Sequence, residues 1–454
     1  MPVSRELLNE PIPRLVRSLA LPASTGYFFN TMYNVVDTWY AGSISTAALA
    51  ALGLSFPIFF VIIAIASGLS TGISAVLANL IGAARHEEAA RFANQTIAAT
   101  TALSLLLVIP GWWLAREAFA WMGAEPEPAR LASRYMTWMF AGAIFFNLNH
   151  VLNALLVARG DTTTYRNVLV AGVLMNVVLD PWMIHGGWGM PAFGFDGIAI
   201  STVLIQAASV CYLARVTAVR RVWAPWTAHS WRITRPVAVE LFRQSGPAML
   251  NMATIGIGIL ILTTFVNQYG TQAVAAYGLA TRIEQIVLLP AIGLNMAVLA
   301  IAGQNHGAGL DKRVRETIIV ALRFGLAVLL PGMLLLLVWP AKAMHLFTSD
   351  PDVLRIGTHY LRIAAFILYA YVLLFTLTAA LQAVKQPLYA IWIGLYRQIV
   401  APIAIILLLQ RYTELGLWSV WISIAFTTWS AALYTVWHVR SAIPSHVTII
   451  DDRR

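Results

Sequence analysis

The chain has 454 residues, of which 59% are hydrophobic and 11% charged, with a mean hydropathy of +0.72. That is too apolar for a soluble domain of this length and implies an integral membrane protein. The net charge of +10 does not point to nucleic acid, because the basic residues sit in short loops between apolar runs, and the single cysteine, Cys211, excludes both an intramolecular disulfide and a cysteine metal cluster.

The chain opens on a polar, basic arm, residues 1–17, with no cleavable leader pattern. The stretch Leu19 to Tyr40 then has the length and apolarity of a membrane helix yet carries a carboxylate, Asp37. Asn30, Tyr33, Asn34 and Asp37 fall at i, i+3, i+4 and i+7 and share one helical face. An ionisable group at membrane depth costs at least about 2.5–3.5 kcal/mol, so it usually turns toward a bundle interior or a wet cavity. The alternative is a carboxylate at a helix end that meets interfacial water.

Apolar runs broken by charge, Gly and Pro predict twelve spans, near 15–40, 47–81, 89–114, 131–158, 164–186, 196–220, 238–268, 272–305, 315–340, 354–383, 388–410 and 416–439. Basic residues Arg5, Arg14, Arg17, Arg85, Arg91, Arg159, Arg166, the cluster Arg215 to Arg243, Lys312 to Arg323, Lys385, Arg440, Arg453 and Arg454 fall on one side, while the opposite loops hold only Arg116, Arg130, Arg134, Lys342, Arg355 and Arg411, several beside acids, which puts both termini in the cytoplasm. Trp112, Trp113, Trp121, Trp182 and Trp188 are expected at the outer interface, and Trp223, Trp226 and Trp231 at the inner one.

The chain repeats itself. Pro22 matches Pro247, and residues 45–55 (STAALAALGLS) match 270–280 (GTQAVAAYGLA), both with an offset of 225. Past the fifth span Gly197-Ile198 pairs with Gly416-Leu417, an offset of 219. Two six-span halves, 1–220 and 237–454, are thus joined by a basic linker at 221–236. Because six is even, the halves enter from the same side and are related by an axis along the membrane normal, the parallel-repeat plan of some secondary transporters.

Positions that are polar in one half only are not demanded by the shared fold. Asp37 maps to Leu262, Asn176 to Ala401, Asp180 to Ile405, Thr202 to Trp421, Asn149 to Leu374 and Asn153 to Thr378. Asn176 and Asp180 share a helix face, and Asp180 stands about 21 Å beyond Arg166 at 1.5 Å per residue. Two carboxylates in one low-dielectric cavity cannot easily both stay ionised and titrate as a unit. With Asn176, Thr202 and Tyr33 they form either a proton site or an oxygen cage for a hard cation; a purely structural network is the alternative.

The second half has its own intramembrane charges, Arg282, Glu284 and Arg397, for which an ion pair of Glu284 with one arginine is expected. His150 is read as a packing residue, since no second His or Cys stands at ligand spacing. Pro22, Pro57, Pro110, Pro247, Pro290 and Pro331 are expected to interrupt and kink their spans.

Several segments, in this order and around this duplication, resemble a multidrug and toxic compound extrusion (MATE) transporter over essentially the whole chain: VVDTWYAG, AALAALGLSFPI, LLVARGD, NVVLDPW, TRIEQIVLLPAIGLNMAVLAIAGQNHGA and GLYRQIVAPI. The resemblance implies an all-α integral membrane protein of twelve transmembrane helices, in two six-helix lobes related by a pseudo-twofold axis. It also implies rocker-switch export of amphipathic, often cationic compounds against protons or sodium. It is closest to the DinF-like branch, and by motif the cation site is Asp37, Asn176, Asp180 and Thr202, with Tyr33 and Asn153 nearby and Pro22 as the bending proline. Unlike the NorM-like pattern, the regions Asn251 to Phe265 and Tyr369 to Gln382 hold no acid. The reading is a monomer in the inner membrane with no cofactor beyond the coupling ion. A lipid-linked precursor flippase would need a wide basic cavity, an intramembrane prenyltransferase a DDxxD motif that the sequence lacks, and a passive channel no counter-ion.

Overall fold

The computed structural model describes residues 7–187, 189–223 and 227–442, and these are helical apart from turns and one isolated bridge, Gly187 to Met190. Arg5, Trp188, Trp226, Arg453, Arg454 and the side chain of Trp121 lie outside the described residues. The spans are α1 (Ile12–Ile44), α2 (Thr46–Gly82), α3 (His86–Trp121), α4 (Pro126–Ala141 continued by Ala143–Val157), α5 (Thr163–His185) and α6 (Asp196–Val219). The second half supplies α7 (Arg235–Asn267), α8 (Thr271–Gly307), α9 (Asp311–Val338), α10 (Pro351–Ala383), α11 (Leu388–Tyr412) and α12 (Trp418–Ala442). Helices α2 and α8 start and stop 225 residues apart at both ends, the offset read from the sequence.

Ten of these helices are long and apolar enough to cross a membrane, and the two parts of α4 make an eleventh. The twelfth, α1, has the length at 33 residues but not the apolarity. Its polar run from Ser24 to Thr38 lowers the average, and that run is the part that carries the carboxylate.

The prolines do not interrupt their spans. Pro22, Pro57, Pro110, Pro247, Pro290 and Pro331 all lie inside helices that continue through them, as does Pro181 in α5. A proline frees one carbonyl, which hydroxyls on the same or neighbouring helices can take up inside a bundle. A break with a sharp bend, 48°, falls at Gly142 within α4. There a Cβ would stand 2.5 Å from Val203 of α6, so only glycine lets the two helices approach.

Apolar packing differs between the lobes. The second lobe holds one continuous buried cluster, which also takes in Ile12, Leu15, Val16, Leu19 and Ala20 of α1. The first lobe holds two clusters, one around Phe119, Met136, Phe140 and Ile198, the other around Ile73, Val76, Leu152 and Leu213. Between them lies a layer of buried polar side chains that includes Asp37, Asn147, Asn149, Asn153, Asn176, Asp180, Ser201 and Thr202.

The lobes meet at the end of the bundle nearest Leu7. Asn79 of α2 donates to the Ala383 carbonyl at the end of α10 (2.7 Å), and Gln304 of α8 donates to the Ala158 carbonyl after α4 (2.7 Å). Both donors and both acceptors are related by the 225 offset, so this is one cross-lobe latch made twice. Beside it, a Cβ on Gly82 would meet the Gln304 carbonyl at 1.9 Å, and one on Gly307 the Asn79 carbonyl at 2.1 Å. At the other end the same helix faces are open. Ala50, Gly53, Pro57 and Val61 on α2 are exposed, as are their counterparts Ala275, Gly278, Arg282 and Ile286 on α8. The lobes therefore form a cleft that is closed near the termini and open at the far end.

A methyl group at Gly82 or Gly307 should wedge the latch apart. With spin labels at Thr46→Cys and Thr271→Cys in a Cys211→Ser background, Gly82→Ala should populate a shorter label distance, about tenfold more than wild type for each 1.4 kcal/mol of clash. An unchanged distance distribution would show that the latch does not hold the cleft open.

Candidate functional site

Three helices of the first lobe build the site. The Asn176 side-chain amide of α5 donates to Asp37 Oδ1 of α1 at 2.9 Å and to Asp180 Oδ1 at 2.9 Å. The two accepting oxygens therefore lie no more than 5.8 Å apart, twice 2.9 Å. Asp180 also accepts from the Ser201 hydroxyl of α6. Asp37 is 5% exposed and Asp180 0%, so neither carboxyl faces lipid. Four groups from three spans form one continuous hydrogen-bonded unit.

The local sequence explains how α1 and α5 are held together here. Pro181, next to Asp180, has no N–H to give the Val177 carbonyl four residues before it. The Tyr40 hydroxyl of α1 takes that carbonyl at 3.0 Å. Lower down, a Cβ on Gly26 of α1 would meet Leu169 of α5 at 3.1 Å, which lets the two helices run close.

Not every expected residue joins the unit. Tyr33 and Thr202 are neighbours at the site, but neither hydroxyl closes a hydrogen bond of ordinary geometry. Asn153 is 1% exposed in the second part of α4, and neither of its amide atoms has a partner. Asn149 donates instead to Gln206, and Asn147 to Ser104 at 2.9 Å. Of the polar face expected on α1, Asn30 and Asn34 stay exposed, and Asn34 bonds back to the Asn30 carbonyl at 2.9 Å. Ser201, Tyr40 and Pro181 were missed. The signal for the last two was the proline that directly follows Asp180 in NVVLDPW.

Among the described residues, Tyr33 Oη, Asn153 Oδ1, Asn176 Oδ1, Asp180 Oδ2 and Thr202 Oγ1 are buried oxygens without a protein partner. Such a set has the hard-oxygen chemistry that a small cation or a proton with its carriers requires. No cluster of three His, Cys, Asp or Glu side chains that would hold a transition metal occurs among the described residues.

The second lobe does not repeat the arrangement. Trp421, in the place of Thr202, is the largest fully buried side chain among the described residues and packs on Tyr360 (4.9 Å between ring centroids) and Tyr277 (5.7 Å). An aromatic ring thus stands where the first lobe has Thr202, and Leu262, Ala401 and Ile405 stand where it has Asp37, Asn176 and Asp180. The expected ion pair of Glu284 with an arginine does not form. Glu284 is buried and accepts from the Tyr360 hydroxyl at 2.6 Å. Arg397 sits in a π-helical turn, Tyr396–Val400, with its guanidinium 5.2 Å from the Tyr371 ring centre. Arg282 is two residues from Glu284, which puts it about 200° away around the helix, and it is exposed. His150 is packed near Tyr165, ring centroids 6.4 Å apart, as expected of a packing residue.

A duplicated twelve-helix membrane bundle, with acids buried in one lobe and a cleft between the two, defines a class of membrane transporter. The MatE family model matches twice, over residues 22–182 and 247–407, again 225 apart. The chain belongs to this family, the MATE multidrug efflux transporters. It is 25% identical over 391 residues to an FAD transporter of Shewanella oneidensis, covering 86% of each chain. It is also 25% identical over 433 residues to the probable multidrug resistance protein NorM of Thermotoga maritima, covering 92% of this chain and 90% of that one. Its fold matches a MATE family multidrug resistance transporter of the MOP superfamily solved in an outward-facing conformation, with a TM-score of 0.90, 25% identity and 98% of each chain covered.

The geometry separates two adjacent hydroxyls. Ser201→Ala removes a hydrogen bond to a carboxyl and should cost about 1.5–3 kcal/mol of stability, whereas Thr202→Val removes a hydroxyl with no protein partner and should cost less than about 1 kcal/mol. Thermal unfolding of the two purified variants measures this; the reverse order would put Thr202 and not Ser201 on the carboxyl.

Proposed function

We propose that the protein is a cation-coupled antiporter that exports amphipathic small molecules by alternating access, with Asp37 and Asp180 as the coupling carboxyls. The observation that carries this reading is the single Asn176 amide shared by both carboxyls, in a lobe whose duplicate has none of the three groups. A proton or a sodium ion bound between them would lower the cost of keeping two acids in a dry layer. Asn176, Asp180, Thr202 and Tyr33 offer the oxygens for sodium, and Asp37 with Asp180 the exchangeable proton site. The counter-ion enters from the open end of the cleft, and its release toward the opposite side accompanies reloading with substrate. The DinF-like assignment rests on the absence of a comparable acid site in the second lobe.

In this reading 1–220 is the coupling lobe, 221–236 the linker and 237–454 the partner lobe. The loop charges put both termini in the cytoplasm, so the closed latch faces the cytoplasm and the open cleft faces outward. The protein then works as a monomer in the inner membrane. The family match favours this reading over the flippase alternative.

Helix α1 supplies the mechanical link. Its residues up to Ala20 pack in the second lobe's cluster, and Ser24 approaches Gly293 of α8, whereas Gly26 packs on α5 and Asp37 belongs to the coupling site. Pro22 lies where the helix passes from one lobe to the other. A change in the bonding of Asp37 is therefore delivered to the latch through the Pro22 segment.

Efflux from proteoliposomes under separately imposed sodium and pH gradients tests the coupling. Asp37→Asn should cut gradient-driven efflux by more than about tenfold, a loss above about 1.4 kcal/mol, with expression and folding intact. Full efflux in that variant would remove Asp37 from the coupling role. Pro22→Ala should slow turnover while leaving the ion preference unchanged; an unaltered rate would dissociate α1 from the conformational step.

A further inference from the structure

Of the second lobe's intramembrane charges Arg282, Glu284 and Arg397, Glu284 is bonded by Tyr360 and Arg397 lies over Tyr371, which leaves Arg282. Arg282 is the twelfth residue of α8, about 17 Å along the helix from its start. It is exposed and makes no hydrogen bond, ion pair or aromatic contact among the described residues. Its direction follows from helix geometry. Arg282 precedes Gly293 by eleven residues and Gly307 by twenty-five, and at 100° per residue each glycine lies within about 20° of Arg282 around the helix. Gly293 touches Ser24 of α1, and Gly307 touches Asn79 of α2, so this face of α8 is the one that meets the first lobe. Arg282 lies on the same face where the lobes have parted, and it points into the cleft.

The wall around that charge is apolar and its mirror image carries no charge. Ala275 and Ile286 flank Arg282 on α8, while Pro57 stands at its counterpart on α2 beside Val61. No carboxylate reaches it. Asp37 and Asp180 are enclosed in the first lobe, and Glu284 lies on the far side of α8, bonded by Tyr360. An arginine without an anionic partner among the described residues, set among apolar side chains in the cleft between the lobes, is arranged to receive an anion attached to a hydrophobic body.

We propose that Arg282 is the recognition point for an anionic group, a carboxylate, sulfonate or phosphate, on the amphipathic molecule this protein carries. This rests on the exporter reading above and gives it a substrate class, namely amphiphiles with a negative headgroup. The coupling acids and the substrate charge are then of opposite sign and belong to different lobes.

Binding measured without any ion gradient tests this separately from coupling. Full-length protein in a neutral detergent is titrated with fluorescein and with rhodamine 6G, xanthene dyes of opposite charge, and followed by fluorescence anisotropy. Fluorescein should bind the wild type, weaken by about tenfold or more in Arg282→Ala, and be largely restored in Arg282→Lys, while rhodamine 6G should bind Arg282→Ala at least as well as wild type. Equal fluorescein affinity in wild type and Arg282→Ala, or a wild type that takes rhodamine 6G and refuses fluorescein, overturns the proposal. Phosphatidylglycerol and phosphatidylcholine serve as competitors. Displacement of fluorescein by the former alone identifies a lipid as the source of the anion, and no displacement identifies a free amphiphile; either result upholds the anion site. Should gradient-driven efflux be absent while this binding pattern holds, the coupling reading fails and the anion site stands.

Discussion

Two carboxyl groups that depend on one side-chain amide, inside a layer closed to lipid, are the constraint around which the first lobe is built. Burying an acid in a low-dielectric interior is costly unless it is hydrogen-bonded or paired. Asn176 has two N–H bonds to give, and each goes to a different carboxyl. Three helices must therefore keep a fixed register at that depth, and the apolar core of the lobe is divided in two to make room. The second lobe has no such obligation: Leu262, Ala401 and Ile405 stand at the equivalent positions, and Trp421, in the place of Thr202, packs on Tyr360 and Tyr277. A duplicated sequence with one fold thus yields one close-packed lobe and one with a polar layer.

Much of this was legible in the sequence because duplication supplies its own control. Leu262, Ala401 and Ile405 stand where the first half has Asp37, Asn176 and Asp180, and that contrast marked the three residues that the structure joins. What stayed hidden depended on rotation about helix axes. Ser201 and Thr202 differ by about 100° on α6, and depth in the membrane does not tell them apart. The same limit applies to Glu284, for which sequence offered two nearby arginines but the helix face offered Tyr360. Proline was overread as a breaker, since a bundle re-satisfies the freed carbonyls, as Tyr40 does for Val177 beside Pro181. The bend at Gly142 came from the close approach of Val203, which has no local signature.

The latch and the polar layer are on different parts of the molecule, and α1 is common to both. Its first turns are held by the second lobe, where Asn305 and Arg313 also bond the Leu7 carbonyl, while its later turns carry Asp37 into the first lobe. A helix anchored in two bodies at once cannot follow one without straining its hold on the other. The contacts at the closed end suit such a device, because they consist of backbone packed against glycine and two amide-to-carbonyl bonds. Those surfaces fit in one relative position of the lobes and lose most of their contact in any other.

The charge distribution follows the same division. The first lobe encloses its two carboxyl groups behind Asn176 and Ser201. The second lobe turns Arg282 outward onto the cleft wall and leaves Glu284 behind it, bonded to Tyr360. The buried acids and the exposed arginine therefore belong to different lobes. Helix α1 is the element that joins the two, since its early turns pack in the second lobe's cluster while Asp37 is bonded in the first lobe.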